Sequence, residues 1–206
     1  QCTGRIGYFT PPQDVLTHTE ADKFLSSSGQ WNRTGRTVIL LGDVWYSDKS
    51  IRTIVRHSPK RWMVFGRQRR SVLTGCNHGE LFAWSFWQHD IDEYIDELQE
   101  LLKLYRLENL NIASGWGHYN IRSNTRYLMN SSRIKKGFAI FTNFCHLDDF
   151  TEDFDYPEDY ENWIRGRQRW SNSGPAQRIL TVLNIKVRLI FFSALNIFHQ
   201  YLYLSL

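Results

Sequence analysis

Apolar residues along this chain fall into two patterns. The first is the short unbroken run: Thr37-Val38-Ile39-Leu40-Leu41 before Gly42-Asp43, Trp62-Met63-Val64-Phe65 before Gly66, ELFAWSFW at 80–87, and GFAIFTNF at 137–144. Runs of this length suit strands buried on both faces, as in a parallel sheet. The second pattern repeats at 3.6 residues. Ile91, Tyr94, Ile95, Leu98, Leu101, Leu102 and Tyr105 trace one apolar stripe, with Asp92, Glu93, Asp96, Glu97 and Glu100 lying off it as a solvated helix face. A shorter stripe, Ile51, Ile54 and Val55, follows Ser47-Asp48, either of which can cap a helix. Strand alternating with helix predicts layered α/β architecture.

The far end of the chain breaks this alternation. Beyond Ile179 the only charges are Lys186 and Arg188, and Asn196, His199 and Gln200 interrupt the apolar stretch. That stretch is marginal in length for a bilayer span, so a packed or poorly ordered tail is expected and a membrane partner is not. Ser171-Asn172-Ser173-Gly174-Pro175 is the clearest break. The expected organisation is therefore an α/β domain over 1–170 and a hydrophobic tail over 171–206.

Composition narrows the class. With 42% hydrophobic and 22% charged residues, the 206-residue chain has globular values, and a net charge of +4 is too small to imply nucleic acid. Basic residues concentrate at Arg52, Arg56, Lys60, Arg61, Arg67, Arg69 and Arg70. No nucleic-acid-binding motif accompanies the GRQRRS run at 66–71, so nucleic acid is not an expected partner. Cys2, Cys76 and Cys145 are odd in number and widely spaced, which argues against a disulfide framework or a zinc knuckle and for a reducing, cytoplasmic setting. The sequons at Asn32 and Asn130 are short enough to arise by chance.

Candidate chemistry lies in the acids. DDFTEDFDYPEDYENW, residues 148–163, places eight carboxylates in fourteen positions with no Lys or Arg among them. Pro157 suits the first turn of a helix, where Glu158 and Asp159 complement the dipole, and Trp163 and Ile164 supply its apolar face. Asp153 and Asp155 precede that helix and alternate in an extended segment, so they share one side while Phe154 takes the other. Two carboxylates held together repel unless protonation or a cation relieves them. Asp43, at a strand end behind Gly42, lies where α/β sheets bind ligands, and Gly42 leaves the backbone open to approach. Mg²⁺ prefers such oxygen donors together with substrate phosphates. A turn aspartate and a solvated acidic loop are the competing readings. His118, in GWGHYN, reads as a loop residue. Cys145 and His146 are neighbours on a strand, point apart, and make no dyad.

LLGDV at 40–44 with DFDYPEDYENWI at 153–164 resembles the GT-A-type nucleotidyltransferase superfamily, which includes sugar-nucleotide synthetases and molybdenum-cofactor nucleotidyltransferases. FGR at 65–67, Thr74-Gly75 and GELFAWSFW at 79–87 extend the likeness over roughly 37–168. The resemblance implies a Rossmann-like three-layer α/β/α fold with a mostly parallel mixed sheet. It implies that Asp43 and Asp155, with Asp153 beside them, hold Mg²⁺ or Mn²⁺. It also implies attack of a phosphorylated sugar or similar small-molecule acceptor on a nucleoside triphosphate. A glycosyltransferase using a nucleotide sugar, and a truncated non-catalytic domain of the same fold, are the alternatives. Arg67 is the candidate phosphate partner. Two departures stand out. The superfamily's N-terminal Gly-rich phosphate loop has no counterpart in QCTGRIGYFTPP, and the chain opens on Gln, so the expectation is an N-terminally truncated domain. Tyr156 replaces the usual threonine before the helix.

Overall fold

The computed structural model describes residues 7, 9–11, 13, 19–67, 71, 73–74, 79–107, 110, 113–125, 143–147 and 149–175. In chain order these form α1 (Glu20–Ser26), β1 (Arg36–Leu40), β2 (Val44–Trp45), α2 (Asp48–Arg56), β3 (Met63–Arg67), β4 (Glu80–Trp87), α3 (Ile91–Leu107), α4 (Gly115–Arg122), β5 (Phe144–His146), β6 (Glu152–Asp153) and α5 (Pro157–Asn172). The helix and strand signals of the sequence fall mostly where the elements do. Ser47 caps α2 by accepting the Ser50 N–H, and Pro157 opens α5.

Four strands form one sheet in the order β1-β4-β3-β5, and β2 pairs with β6 in a separate two-stranded ribbon. The protein is a mixed α/β fold, but the expected mostly parallel sheet is not what the described strands make. β4 runs antiparallel to both β1 and β3, and only β3 with β5 is parallel. The reason is physical. A continuous apolar run reports burial on both faces, and a covered antiparallel strand produces the same run as a parallel one. β1 is also only half-buried, which an edge position explains. Of the apolar run at 137–144, residues 137–142 lie outside the described residues, as do 176–206 of the expected tail. α5 continues through Ser171 to Asn172, across the expected boundary.

β4 distributes its side chains to two cores. Leu81, Trp84 and Phe86 join Phe24, Trp31, Tyr94, Leu98, Leu101 and Trp116 in a cluster built with α1, α3 and α4. Phe82 and Ala83 join Val44, Ile54, Phe65 and Leu147 in a second cluster that takes in α2. Consecutive residues should point apart. They do not here because Phe65 pairs with Ala83 while Gly66 pairs with Leu81, a bulge that leaves Phe82 as the extra residue. Gly66 is required at that step, since a Cβ there would stand 2.3 Å from the Glu80 carbonyl oxygen. No described helix is long and apolar enough to cross a membrane.

The GWGHYN segment is helix α4, not loop. Ser114 caps it by accepting the Gly117 N–H, and the Glu20 carboxylate accepts the Gly115 N–H at 2.7 Å. His118 is 1% exposed, packed at a tilt against Tyr94 and bonded through Nε2 to Glu97 at 3.1 Å. Burial lowers its pKa and so favours the neutral ring. It is a core histidine. Arg122 passes beneath it, 2% exposed, to reach Asp90 at 3.1 Å and Glu97 at 2.9 Å. Part of the acidic face of α3 is thus internal, leaving Asp92, Glu93 and Asp96 exposed, with Glu93 paired to Arg61.

Candidate metal centre

The β2–β6 ribbon brings the acids together. Val44 pairs with Asp153 and Trp45 with Glu152, and the Phe154 N–H donates to the Asp43 carbonyl at 3.2 Å. Asp43 therefore meets the 153–155 segment although more than a hundred residues separate them. Tyr46 fixes the turn that carries Asp43. Its hydroxyl accepts the Leu41 N–H at 3.0 Å and donates to the Phe82 carbonyl, tying the 41–46 segment to β4. Gly42 sits in that turn with nothing within 4 Å of where a Cβ would be, so the backbone is open to approach there.

Carboxylate oxygens of Asp43, Asp153 and Asp155 all lie within 4.8 Å of one another, with Asp43 and Asp155 exposed and Asp153 half-buried. Asp153 Oδ1 is buried and accepts no hydrogen bond. Burial first, then repulsion from Asp43, Asp155 and Glu80, pushes its carboxyl up to about 8. Glu20 adds to the negative field. Burial lifts its carboxyl as well, opposed by the Gly115 N–H and reinforced by Glu80 and Asp43. The same burial, with Asp43 and Asp153 nearby, raises the Tyr46 hydroxyl and keeps it neutral.

Of the other acids of 148–163, Asp148 lies outside the described residues, Glu158 is exposed in the first turn of α5, and the rest have separate duties. Asp149 accepts from Ser47 and Ser50 hydroxyls at 2.6 Å each and from the Thr151 N–H at 2.8 Å. Burial opposes its charge, but those bonds outweigh it and hold the carboxyl below its usual range. It anchors the start of α2. Glu152 takes Arg67. Asp159 accepts the Tyr156 N–H at 2.9 Å at the start of α5, and Glu161 pairs with Arg165 one turn on, as helix acids do. Phe154, expected on an apolar side, packs its ring against Trp163 and Tyr160.

Arg67 stands elsewhere than expected. It is 7% exposed, and its Nη2 donates to Glu152 Oε1 at 2.5 Å. Any phosphate would compete with that carboxylate. The basic region also divides: Arg52 and Arg56 lie on α2, Arg61 reaches Asp90 and Glu93, Arg67 turns inward, and Arg69 and Arg70 lie outside the described residues. Cys145 is half-buried, and burial pushes its thiol up, away from nucleophilic use. Glu152 is the residue that sequence reasoning missed. Its alternation with Asp153, together with a lone arginine ending β3, is the signal that could have found it.

No family model, curated protein or solved structure matches this chain.

Proposed function

We propose that this chain is a divalent-cation-dependent nucleotidyltransferase-like domain of the GT-A type, taking a nucleoside triphosphate and a phosphorylated small-molecule acceptor. The observation that carries the reading is the meeting of Asp43, Asp153 and Asp155 with one buried carboxylate oxygen left unpartnered. The donor set fits Mg²⁺ or Mn²⁺, which favour carboxylate oxygens and retain sites for water and phosphate. Two oxygens on one such ion stand at most about 4.2 Å apart, so small rotations of the exposed Asp43 and Asp155 side chains suffice to gather the three. The order of strand, Gly-Asp, sheet, D-x-D-x-P-E-D segment and helix supports the GT-A assignment.

Each residue then has a defined task. Asp43 and Asp155 present charge at the open rim, and Asp153 supplies the inner oxygen. Gly42 leaves room for phosphate oxygens beside the turn. A bound Mg²⁺ would supply charge compensation for the triphosphate as an acceptor oxygen attacks the α-phosphorus and the bond to pyrophosphate breaks. The acids repel the triphosphate by themselves, so nucleotide binding should require the metal.

Thermal stability measured with ATP, GTP, CTP and UTP, each with and without Mg²⁺, tests this. A rise requiring both components, lost in Asp43→Ala and in Asp155→Ala, is expected. No rise with any nucleotide refutes the reading. Pyrophosphate release would separate nucleotidyl transfer from transfer of sugar out of a nucleotide sugar.

A further inference from the structure

Asp153 belongs to a two-residue strand. β6 pairs with only two residues of β2, too few to fix a register by backbone bonds alone. Something else must hold it, and the side chain next to Asp153 does. In an extended segment neighbouring side chains point apart, so Glu152 turns inward as Asp153 turns toward the other acids. Glu152 is 3% exposed and its carboxylate is well supplied with donors. Arg67 Nη2 reaches Oε1 at 2.5 Å, while the Ser71 hydroxyl and, at 3.3 Å, the Thr74 hydroxyl reach Oε2. Ser71 is itself fixed, since its oxygen accepts the N–H groups of Leu73 and Thr74 at 3.1 Å each. Arg67 ends β3, whose register with β4 places it opposite Glu80. The chain of contacts thus runs from the main sheet through Arg67 to Glu152 and then to Asp153.

We infer that Arg67 and Glu152 form a buried clamp that sets the position of the Asp153 carboxylate, which makes Arg67 a positioning residue for the cation site. The inference rests on the metal reading above but assigns Arg67 a different task from phosphate binding. Geometry and charge give opposite signs here. Loss of the Arg67 charge would make the corner more negative and, by Coulomb attraction alone, would tighten a divalent cation. Loss of the clamp loosens Asp153 and weakens it. Groups that orient metal ligands cost about 10–100-fold in affinity when altered.

Mn²⁺ affinity, measured by electron paramagnetic resonance of the unbound ion, tests the clamp in native protein, Arg67→Lys and Ser71→Ala, with near-ultraviolet circular dichroism confirming the fold of each. Both variants keep every charge. Arg67→Lys gives up the planar fork, and its Mn²⁺ affinity is expected to fall about tenfold. Ser71→Ala removes one donor to Glu152 and should cost a few-fold, and it decides the matter where Arg67→Lys does not fold. Mn²⁺ affinity within twofold of native in the folded variants overturns the clamp while leaving the metal site standing. A native protein that binds no Mn²⁺ overturns both.

Discussion

Replacing Asp153 with Asn should stabilise the metal-free protein at alkaline pH, although it removes a ligand of the proposed cation site. The reasoning starts from the raised carboxyl. In the unfolded chain Asp153 titrates near its ordinary 3.8, and in the folded chain near 8. Between those values the folded protein keeps a proton that the unfolded chain has lost. The stability this confers is whole below about pH 4 and gone above about pH 8, where the folded state must carry the buried charge. At 1.36 kcal/mol for each pH unit between the two values, the penalty comes to roughly 5–6 kcal/mol. Water around the exposed Asp43 and Asp155 screens the repulsion, so about half, roughly 2–3 kcal/mol, is the expected gain for Asp153→Asn at pH 9. The new amide can donate to the neighbouring carboxylates, so it leaves no stranded donor in the corner.

Urea denaturation in the presence of a chelator, followed by tryptophan fluorescence, reads this directly. A gain of that size moves the urea midpoint up by about 1 M, and the difference should shrink toward zero at pH 4. Saturating Mg²⁺ or Mn²⁺ should reverse the order. A thousandfold excess over the dissociation constant stabilises native protein by about 4.1 kcal/mol, more than the variant's advantage, and the variant gains little. If Asp153→Asn were less stable than native at pH 9 without metal, the carboxylate would be making structural bonds, and the electrostatic account of the corner would fall.

Three further substitutions probe the surrounding structure. Arg122→Met leaves Asp90, fully buried, without its internal cation and should cost about 3–5 kcal/mol in urea denaturation; a loss under about 1 kcal/mol would mean that this network is slack. Gly166→Ala brings a Cβ within 2.3 Å of the Leu73 carbonyl oxygen and should lower the melting temperature by an amount equivalent to about 1–3 kcal/mol, whereas an unchanged melting point would place α5 farther from Leu73. Gly42→Ala meets no protein atom and should shift stability by no more than about 0.5 kcal/mol, while weakening Mg²⁺-dependent nucleotide binding measured by calorimetry. Undiminished binding would show that the space beside Gly42 is not where phosphate approaches.

Legibility in the sequence followed the range of the forces involved. α3 was readable because its stripe is local: Ile91, Tyr94, Leu98, Leu101 and Leu102 are the buried residues of that helix. α4 was not, because two glycines in GWGH argue against a helix on propensity. Tertiary fit overrides that. A Cβ on Gly115 would stand 2.6 Å from the Trp84 ring, so the glycine is there to let α4 approach β4, and the Glu20 carboxylate satisfies its exposed N–H. Strand direction was equally out of reach. β4 and β3 are both covered, and nothing in an apolar run records which way its partner travels.

The candidate site was half legible for the same reason. Alternation placed Asp153 and Asp155 on one side of their segment, and the strand-end position singled out Asp43. What alternation cannot disclose is compensation, because the compensating groups lie far away in sequence. Asp149 is satisfied by Ser47 and Ser50 and Glu152 by Arg67, while Asp90 and Glu97 share Arg122. Glu20 has the Gly115 N–H. Against these, Asp153 Oδ1 is the only carboxylate oxygen among the buried polar atoms that lack a partner in the described residues. A chain that neutralises or bonds its other enclosed acids, and leaves this one facing two more carboxylates, has built a corner that is unfavourable when empty. Such a corner is relieved by a proton below about pH 8 or by a divalent cation, and only the cation would also attract phosphate.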